Sequence, residues 1–371
     1  VGADLNMMAA TAVSATDYEV LACHALDDAA WSYFAGGAGD ELTLRANRAA
    51  WDAIALMPRV LRELAGGHTR VELFGRTWPT PLLVAPVAHQ KLAHPDGERA
   101  SAMAAAAQGA GFVLSTQTSV PMEHVAAAVR DDAQRGPLWF QLYWQRDRGL
   151  TRELVQRAEA AGFEALVLTV DAPVQGPRDR ERRTGFRVPP HAAAVHLHGQ
   201  ATRPSRRLRD GDSALFDDLL LDAPAWRDVE WLRGQTRLPL VLKGVLHPDD
   251  ARDAQRAGAA AVVVSNHGGR TLDTAPATAD ALPALADAVG GTLPLLVDGG
   301  IRRGIDVLKA IALGARAVLV GRPAVFALAA GGAPAVAHLL RLLRDELEIA
   351  MALTGCRTLG DAGPALLAPR R

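Results

Sequence analysis

The chain has 371 residues, 49 % hydrophobic and 22 % charged, a balance that excludes a disordered polymer and permits a large core without disulfides or structural metal. Lys and Arg total 40 against 41 Asp and Glu, so no global field draws the chain to nucleic acid. The two cysteines, Cys23 and Cys356, stand far apart, no run reaches the ~18 apolar residues of a membrane span, and Val1 to Ala15 lack a secretion signal, which together read as a soluble cytoplasmic protein.

Residues 1–80 read as helices and then a short hairpin around Val71–Trp78, expected to close the bottom of a barrel built by the later residues and to supply one wall of a site. From Pro81 to Arg322, short β-rich apolar runs alternate with Ala-rich helical stretches. The runs are Leu82–Ala88, Phe112–Thr116, Leu138–Tyr143, Ala165–Asp171, Leu240–Val245, Ala261–Asn266, Leu295–Gly300 and Ala317–Gly321. Most are continuously apolar, as parallel strands buried on both faces are. Between them lie helices over Gly97–Gly109, Thr151–Ala161, Pro248–Ala257, Ala279–Val289 and Gly304–Leu313. His94-Pro95-Asp96-Gly97-Glu98 and His247-Pro248-Asp249-Asp250 place Pro and acids where helices begin, and Gly109, Gly162, Gly258 and Gly314 mark ends.

Eight strand–helix units at this length predict a closed α/β barrel of (β/α)8 type, a TIM barrel, over 81–330 within one domain; an open α/β sheet is the alternative. The connection from Ala172 to Arg237 is longer than a helix and two loops need. Its middle, about 191–212, is rich in Arg, His, Gly and Ala and is expected to form a mobile lid over the barrel mouth. His196 and His198 have no carboxylate or Cys at ligand spacing, so no metal is expected there. Residues 333–357 form an amphipathic helix whose stripe of Val336, Leu339, Leu340, Leu343, Leu347 and Met351 is a packing face.

Barrels of this kind build their sites at the C-terminal ends of the strands, and polar residues gather there. The third run ends Gln141-Leu142-Tyr143, the fourth Thr169-Val170-Asp171, the fifth Lys243-Gly244 and the sixth Ser265-Asn266-His267-Gly268-Gly269-Arg270. The seventh ends Asp298-Gly299-Gly300 and the eighth Gly321-Arg322. Glycine-rich loops after the last two strands suit a phosphate, because glycine lets backbone N–H groups approach an anion. Gly299, Gly300, Gly321 and Arg322 supply such a cradle with Arg302 close by, so a phosphate-bearing cofactor or substrate is expected. No Gly-x-Gly-x-x-Gly opens a helix after the first strand, which disfavours a dinucleotide.

Lys243 ends a buried strand and calls for an anionic partner or a Schiff base. His267 and Arg270 offer a base beside an anion clamp. Asp171 is placed to orient the imidazole or to neutralise Lys243 or an Arg. Arg178 can join Arg270 in bidentate carboxylate binding.

The stretch Ser265-Asn266-His267-Gly268-Gly269-Arg270-Thr271-Leu272-Asp273 closely resembles the signature of the FMN-dependent α-hydroxy-acid oxidase and dehydrogenase family, which includes glycolate oxidase, lactate oxidase and mandelate dehydrogenase. The resemblance continues through Tyr33-Phe34-Ala35-Gly36-Gly37, Ala85-Pro86-Val87-Ala88, Gln141-Leu142-Tyr143, Thr169-Val170-Asp171, Lys243-Gly244, Asp298-Gly299-Gly300 and Gly321-Arg322-Pro323, nearly the whole chain in order. It implies that His267 takes the substrate hydroxyl proton and that Asp171 stabilises the resulting imidazolium. Arg178 and Arg270 would bind the substrate carboxylate with help from Tyr33, and Tyr143 would meet the α-oxygen. Lys243 would sit near flavin N1 and O2. The backbone of Ala85, Pro86, Val87 and Ala88, with Ser115, Gln141, Thr169 and Ser265, would hold the isoalloxazine. Asp298, Gly299, Gly300, Arg302, Gly321 and Arg322 would take the ribityl and phosphate. The implied reaction converts an (S)-2-hydroxy acid to the 2-oxo acid, by hydride transfer or by an older carbanion route, in a homotetramer.

Some positions depart from the family pattern. Thr271 stands where the signature usually has Gln, Pro177 where many members have Arg, and Val87 where many have Thr. The run Gln175 to Arg180 looks more like lactate oxidase than glycolate oxidase. Gln117 replaces a bulky aromatic of the side-chain pocket, leaving room for a larger, polar or aryl group, and does not choose lactate over mandelate. Ala88, and a fourth connection without a membrane-binding apolar segment, favour O2 as acceptor with H2O2 as product. The alternatives are a soluble quinone- or carrier-linked dehydrogenase and, more distantly, an FMN-dependent isoprenoid isomerase, which needs no Arg178–Arg270 clamp.

Overall fold

The structure, a computed structural model, describes residues 11–199 and 207–369. Two short strands come first, β1 (Val71–Leu73) and β2 (Arg76–Trp78), paired antiparallel. Eight parallel strands then close on themselves in chain order: β3 (Leu82–Val84), β4 (Gly111–Ser115), β5 (Leu138–Leu142), β6 (Ala165–Thr169), β7 (Leu240–Val245), β8 (Ala261–Val264), β9 (Leu295–Val297) and β10 (Ala317–Val320). β10 pairs with β3, so the expected closed barrel is present and the open sheet is not. Nearly every barrel residue is buried, which is why the runs lack an inside–outside alternation.

Every strand stops short of, or level with, the end of its apolar-plus-polar run. Thus β3 ends at Val84 rather than Ala88, and β9 at Val297 rather than Gly300. The trailing residues are loops, and they form the mouth. Helices occupy Gly97–Ala107, Arg148–Ala161, Pro248–Arg256, Thr278–Val289 and Gly304–Ala312, within a few residues of expectation. Two more, Met122–Val129 and Trp226–Arg233, complete their units.

The helical run Arg322–Thr354 is two helices meeting at Gly331 and Gly332, whose backbone angles are not helical. Its apolar stripe, Val336 to Met351, is buried, and 67 % of its most apolar window lies inside the protein, so length and hydropathy there reflect packing.

The N-terminal extension serves both ends of the barrel. The β1–β2 hairpin lies at the strand N-termini, where Trp78 meets Trp139 edge-on at 5.4 Å and Arg76 pairs with Glu164 at 2.5 Å. Helices Asp28–Ala35 and Leu42–Asp52 lie at the other end, against the loops after β8 and β9.

Of the expected lid, residues 200–206 fall outside the described residues. Before them, Ala192 is fully buried with its carbonyl on His89 Nδ1 at 2.8 Å, and the Val195 N–H reaches the Thr118 carbonyl. His196 accepts the Met122 N–H and sits 3.2 Å from Arg157; burial, with Arg157, lowers its pKa to about 4. This stretch is fastened to the loops after β3 and β4. The walls of the mouth come from either side of it, at Phe186–Val188 and Leu219–Val229.

Candidate active site

The strand C-termini open into a cavity of about 1110 Å³. Pockets for drug-sized ligands measure roughly 300–1,000 Å³, so this one has room for a cofactor and a small substrate. Seven cationic side chains and four carboxylates line it, a net of three positive charges with histidines neutral. The chain as a whole carries a net charge of −1. The cavity therefore selects anions.

Its most constrained element is the turn after β8. His267, Gly268 and Gly269 take successive left-handed conformations, at φ 56°, 63° and 74°. A Cβ on Gly269 would fall 2.6 Å from the Leu44 nitrogen, so the position requires glycine. Asn266 and Asn47 hold the turn through a reciprocal buried amide pair at 2.9 and 2.8 Å. The strained backbone presents the His267 ring to the cavity.

His267 Nδ1 lies 2.9 Å from Asp171 Oδ1, and Nε2 lies 3.4 Å from the Tyr143 hydroxyl. A carboxylate accepts only, so the proton sits on Nδ1 and Nε2 presents its lone pair. Burial, aided by Lys243 and Arg270, lowers the His267 pKa against the pull of Asp171. For Asp171 burial pushes upward, but His267 and Lys243 prevail and lower the pKa. The pair at rest is neutral imidazole and carboxylate.

Gly244 makes the pair possible. At φ 110°, its Cβ would stand 2.4 Å from Asp171 Cγ. The β7–β8 register shifts between Lys243 and Val245, and this bulge turns the backbone away from the carboxylate.

Arg270 and Arg178 approach from different loops. Arg270 Nη1 donates to the carbonyls of Tyr33 and Gly36 at 2.6 and 2.8 Å, and its guanidinium lies 5.0 Å from the Tyr33 ring centre. Burial and then Arg178 lower the Arg270 pKa, while Tyr33 and Glu181 oppose them. Arg178 Nε is buried without a hydrogen-bond partner among the described residues. Phe186 stacks on Tyr33 at 4.8 Å.

On the opposite side, Lys243 Nζ contacts Ser265 Oγ at 2.8 Å and Asp298 Oδ2 at 3.0 Å. Burial disfavours its charge, but Asp298 and Asp171 more than compensate and raise its pKa. It is an ammonium, and the Schiff-base alternative has no free amine here. Gln141 bonds to Ser115 Oγ and Thr169 Oγ1, fixing a polar row across β4, β5 and β6. Helix Leu42–Asp52 props the turn after β9: Trp51 Nε1 donates to the Gly299 carbonyl and Arg48 to that of Gly300.

Among the described residues, Arg322 donates to the carbonyls of Phe34, Gly36 and Gly268, and the acidic groups near Arg302 are Glu19, at 4.0 Å, and Asp306. Burial, aided by Arg270 and Arg302, pushes the Arg322 pKa well below the usual guanidinium range. Two half-buried cations beside a glycine turn, with an Asp298 Oδ1 that has no hydrogen-bond partner among the described residues, are a set of groups for a phosphate and a sugar hydroxyl. The residues present fit FMN.

The cavity wall contains Tyr33, Ala85, Pro86, Val87, Ala88, Ser115, Gln117, Gln141, Tyr143, Thr169, Arg178, Lys243, His267, Arg270, Asp298, Gly299, Gly300, Arg302, Gly321 and Arg322. Asp171 and Ser265 stand one layer behind, against His267 and Lys243. Sequence reasoning expected helices before the barrel to supply one wall of the site, as helix Leu42–Asp52 does, but missed Glu181, Phe186 and Asn47. Only spatial neighbours far away in the chain give these residues their place.

A family model described as FMN-dependent dehydrogenase matches residues 22–369. The chain belongs to that family. Among its relatives, an L-lactate oxidase of Alicycliphilus denitrificans is 49 % identical, covering 96 % of each chain. A 4-hydroxymandelate oxidase of Amycolatopsis orientalis is 47 % identical, covering 95 % of this chain and 97 % of the relative. The crystal structure of mandelate oxidase with (S)-2-phenylpropionate superposes with a TM-score of 0.85 at 45 % identity, covering 96 % of this chain and 98 % of that one.

Proposed function

We propose that this chain oxidises the α-hydroxyl of an (S)-2-hydroxy acid, lactate-, glycolate- or mandelate-like, to the 2-oxo acid. One observation carries the reading: a neutral imidazole backed by a carboxylate shares a phosphate-ready cavity with two guanidinium groups. FMN, when bound, supplies the two-electron acceptor, and O2 restores it with release of H2O2. Arg178 and Arg270 hold the substrate carboxylate, and Tyr33 closes that side. Tyr143, at hydrogen-bond reach of His267 Nε2, steadies the α-oxygen. Nε2 accepts the hydroxyl proton, and Asp171 stabilises the imidazolium that forms. Lys243 is a fixed positive charge for negative charge arriving beside it. Arg302, Arg322 and the Gly299–Gly300 and Gly321 backbone hold the cofactor phosphate. Two of the relatives named above are oxidases of lactate and of 4-hydroxymandelate, which supports O2 as acceptor. A cytoplasmic homotetramer is the accompanying expectation, with exposed Ile349 and Leu353 as candidate interface residues.

The test is anaerobic addition of L-lactate, glycolate and (S)-mandelate to yellow holoenzyme, and then admission of air. Bleaching by at least one acid, with recovery and peroxide in air, is expected. Bleaching without recovery indicates a carrier-linked dehydrogenase, and no bleaching by any acid removes the proposal.

A further inference from the structure

Glu181 lies on the short helix Asp179–Thr184, and only 11 % of its side chain is exposed. Its Oε1 takes hydrogen bonds from both Arg178 Nη1 and Arg270 Nη2, each at 3.2 Å. Arg178 is its neighbour along the chain, but Arg270 arrives from the loop after β8, so this is no ordinary surface pair. Thr184 Oγ1, 2.8 Å from Ser32 Oγ, docks the short helix on the one that carries Tyr33.

Two guanidinium groups brought together repel, and one carboxylate oxygen between them relieves that. The contacts are long, since charge-assisted N–H···O bonds settle at about 2.7–2.9 Å. Among the described residues, Arg178 Nε has no hydrogen-bond partner. The bridge is loose, and a second carboxylate can better it.

We propose that Glu181 is a built-in competitor for the substrate carboxylate: it bridges Arg178 and Arg270 and gives up at least one guanidinium when a 2-hydroxy or 2-oxo acid arrives. The inference rests on the hydroxy-acid reading above. Its consequence is weaker hold on substrate and product alike, which favours turnover over retention. A ground-state competitor of this kind raises KM and product Kd together and leaves the chemical step alone.

The experiment compares wild-type and Glu181→Gln holoenzymes. Pyruvate and acetate are titrated into the oxidised protein by the visible flavin spectrum. Anaerobic stopped-flow with an acid that bleaches the wild type then gives the saturating reduction rate. Expected is a roughly tenfold lower Kd for both anions, larger than any accompanying change in the saturating reduction rate. An unchanged or higher Kd, or a reduction rate that falls by as much as Kd does, overturns the inference and makes Glu181 an orienting residue. If Glu181→Gln loses its flavin, Glu181→Asp is read by the same titration, since the shorter side chain loosens the bridge. Failure of that variant to tighten pyruvate also overturns it. Wild-type bleaching is the control: without it the hydroxy-acid reading fails, whereas bleaching with unchanged Kd sinks only the role of Glu181.

Discussion

His267 is held uncharged by burial and by two neighbouring cations, and this has a readable pH signature. A base must be deprotonated to act, so the acid limb of kcat/KM is expected below 6.5, the ordinary histidine value. A limb above 6.5 would contradict the direction found here. The same shift bears on stability. Below pH 6.5 the unfolded chain binds a proton at this position that the folded chain resists, so stability falls as pH falls through that value. Asp171, lowered in the fold, adds a further loss at more acidic pH. Replacing His267 with Asn should leave FMN bound and slow anaerobic flavin reduction by about two to four orders of magnitude. Unaltered reduction would remove it from the base role. Gly244→Ala is the complementary test, because the added carbon collides with Asp171. It should lower kcat sharply while the (β/α)8 circular-dichroism spectrum persists, and an undisturbed kcat would show that the carboxylate can move aside.

Among the elements, the eight strands were legible because residues such as Leu166–Leu168 and Val262–Val264 face apolar neighbours on both sides. Their polar tails were legible for the converse reason: a barrel interior has no use for His267 or Lys243. Glu98 was less transparent. Its position suggested charge at a helix start, yet the carboxylate is buried and accepts the Gln90 and Ser119 N–H groups, joining two loops. Glu181 was opaque altogether, since a glutamate three residues after an arginine reads as a solvent-facing pair until Arg270 is seen. The break at Gly331 and Gly332 was legible, because two glycines and Pro334 interrupt the helical pattern and the expected helix starts at residue 333. The hairpin yields a prediction at this scale. Trp78→Ala removes a fully buried ring from the barrel floor and should cost about 3–5 kcal/mol in chemical denaturation, with KM unchanged. A large change in KM would mean that the floor communicates with the mouth.

For the molecule as a whole, the cavity's surplus of three positive charges sets a thermodynamic link between ligand and fold. Removing FMN should lower the melting temperature, and FMN at about 100 times its Kd should return about 2.7 kcal/mol. Riboflavin, which lacks the phosphate, should restore much less. Equal rescue by the two would take Arg302 and Arg322 out of the phosphate site.

Arg270 and Arg322 both end on the carbonyls that finish helix Asp28–Ala35, at Tyr33, Phe34 and Gly36. The segment preceding the barrel is thus wired into two of the groups that face the ligands. Chimeras between relatives should respect that wiring: a crossover at the first barrel strand would splice one protein's clasp onto another's arginines, whereas exchanging the β1–β2 hairpin alone should be tolerated. The boundary that evolution and engineers must honour lies nearer the amino terminus than the barrel's geometry suggests.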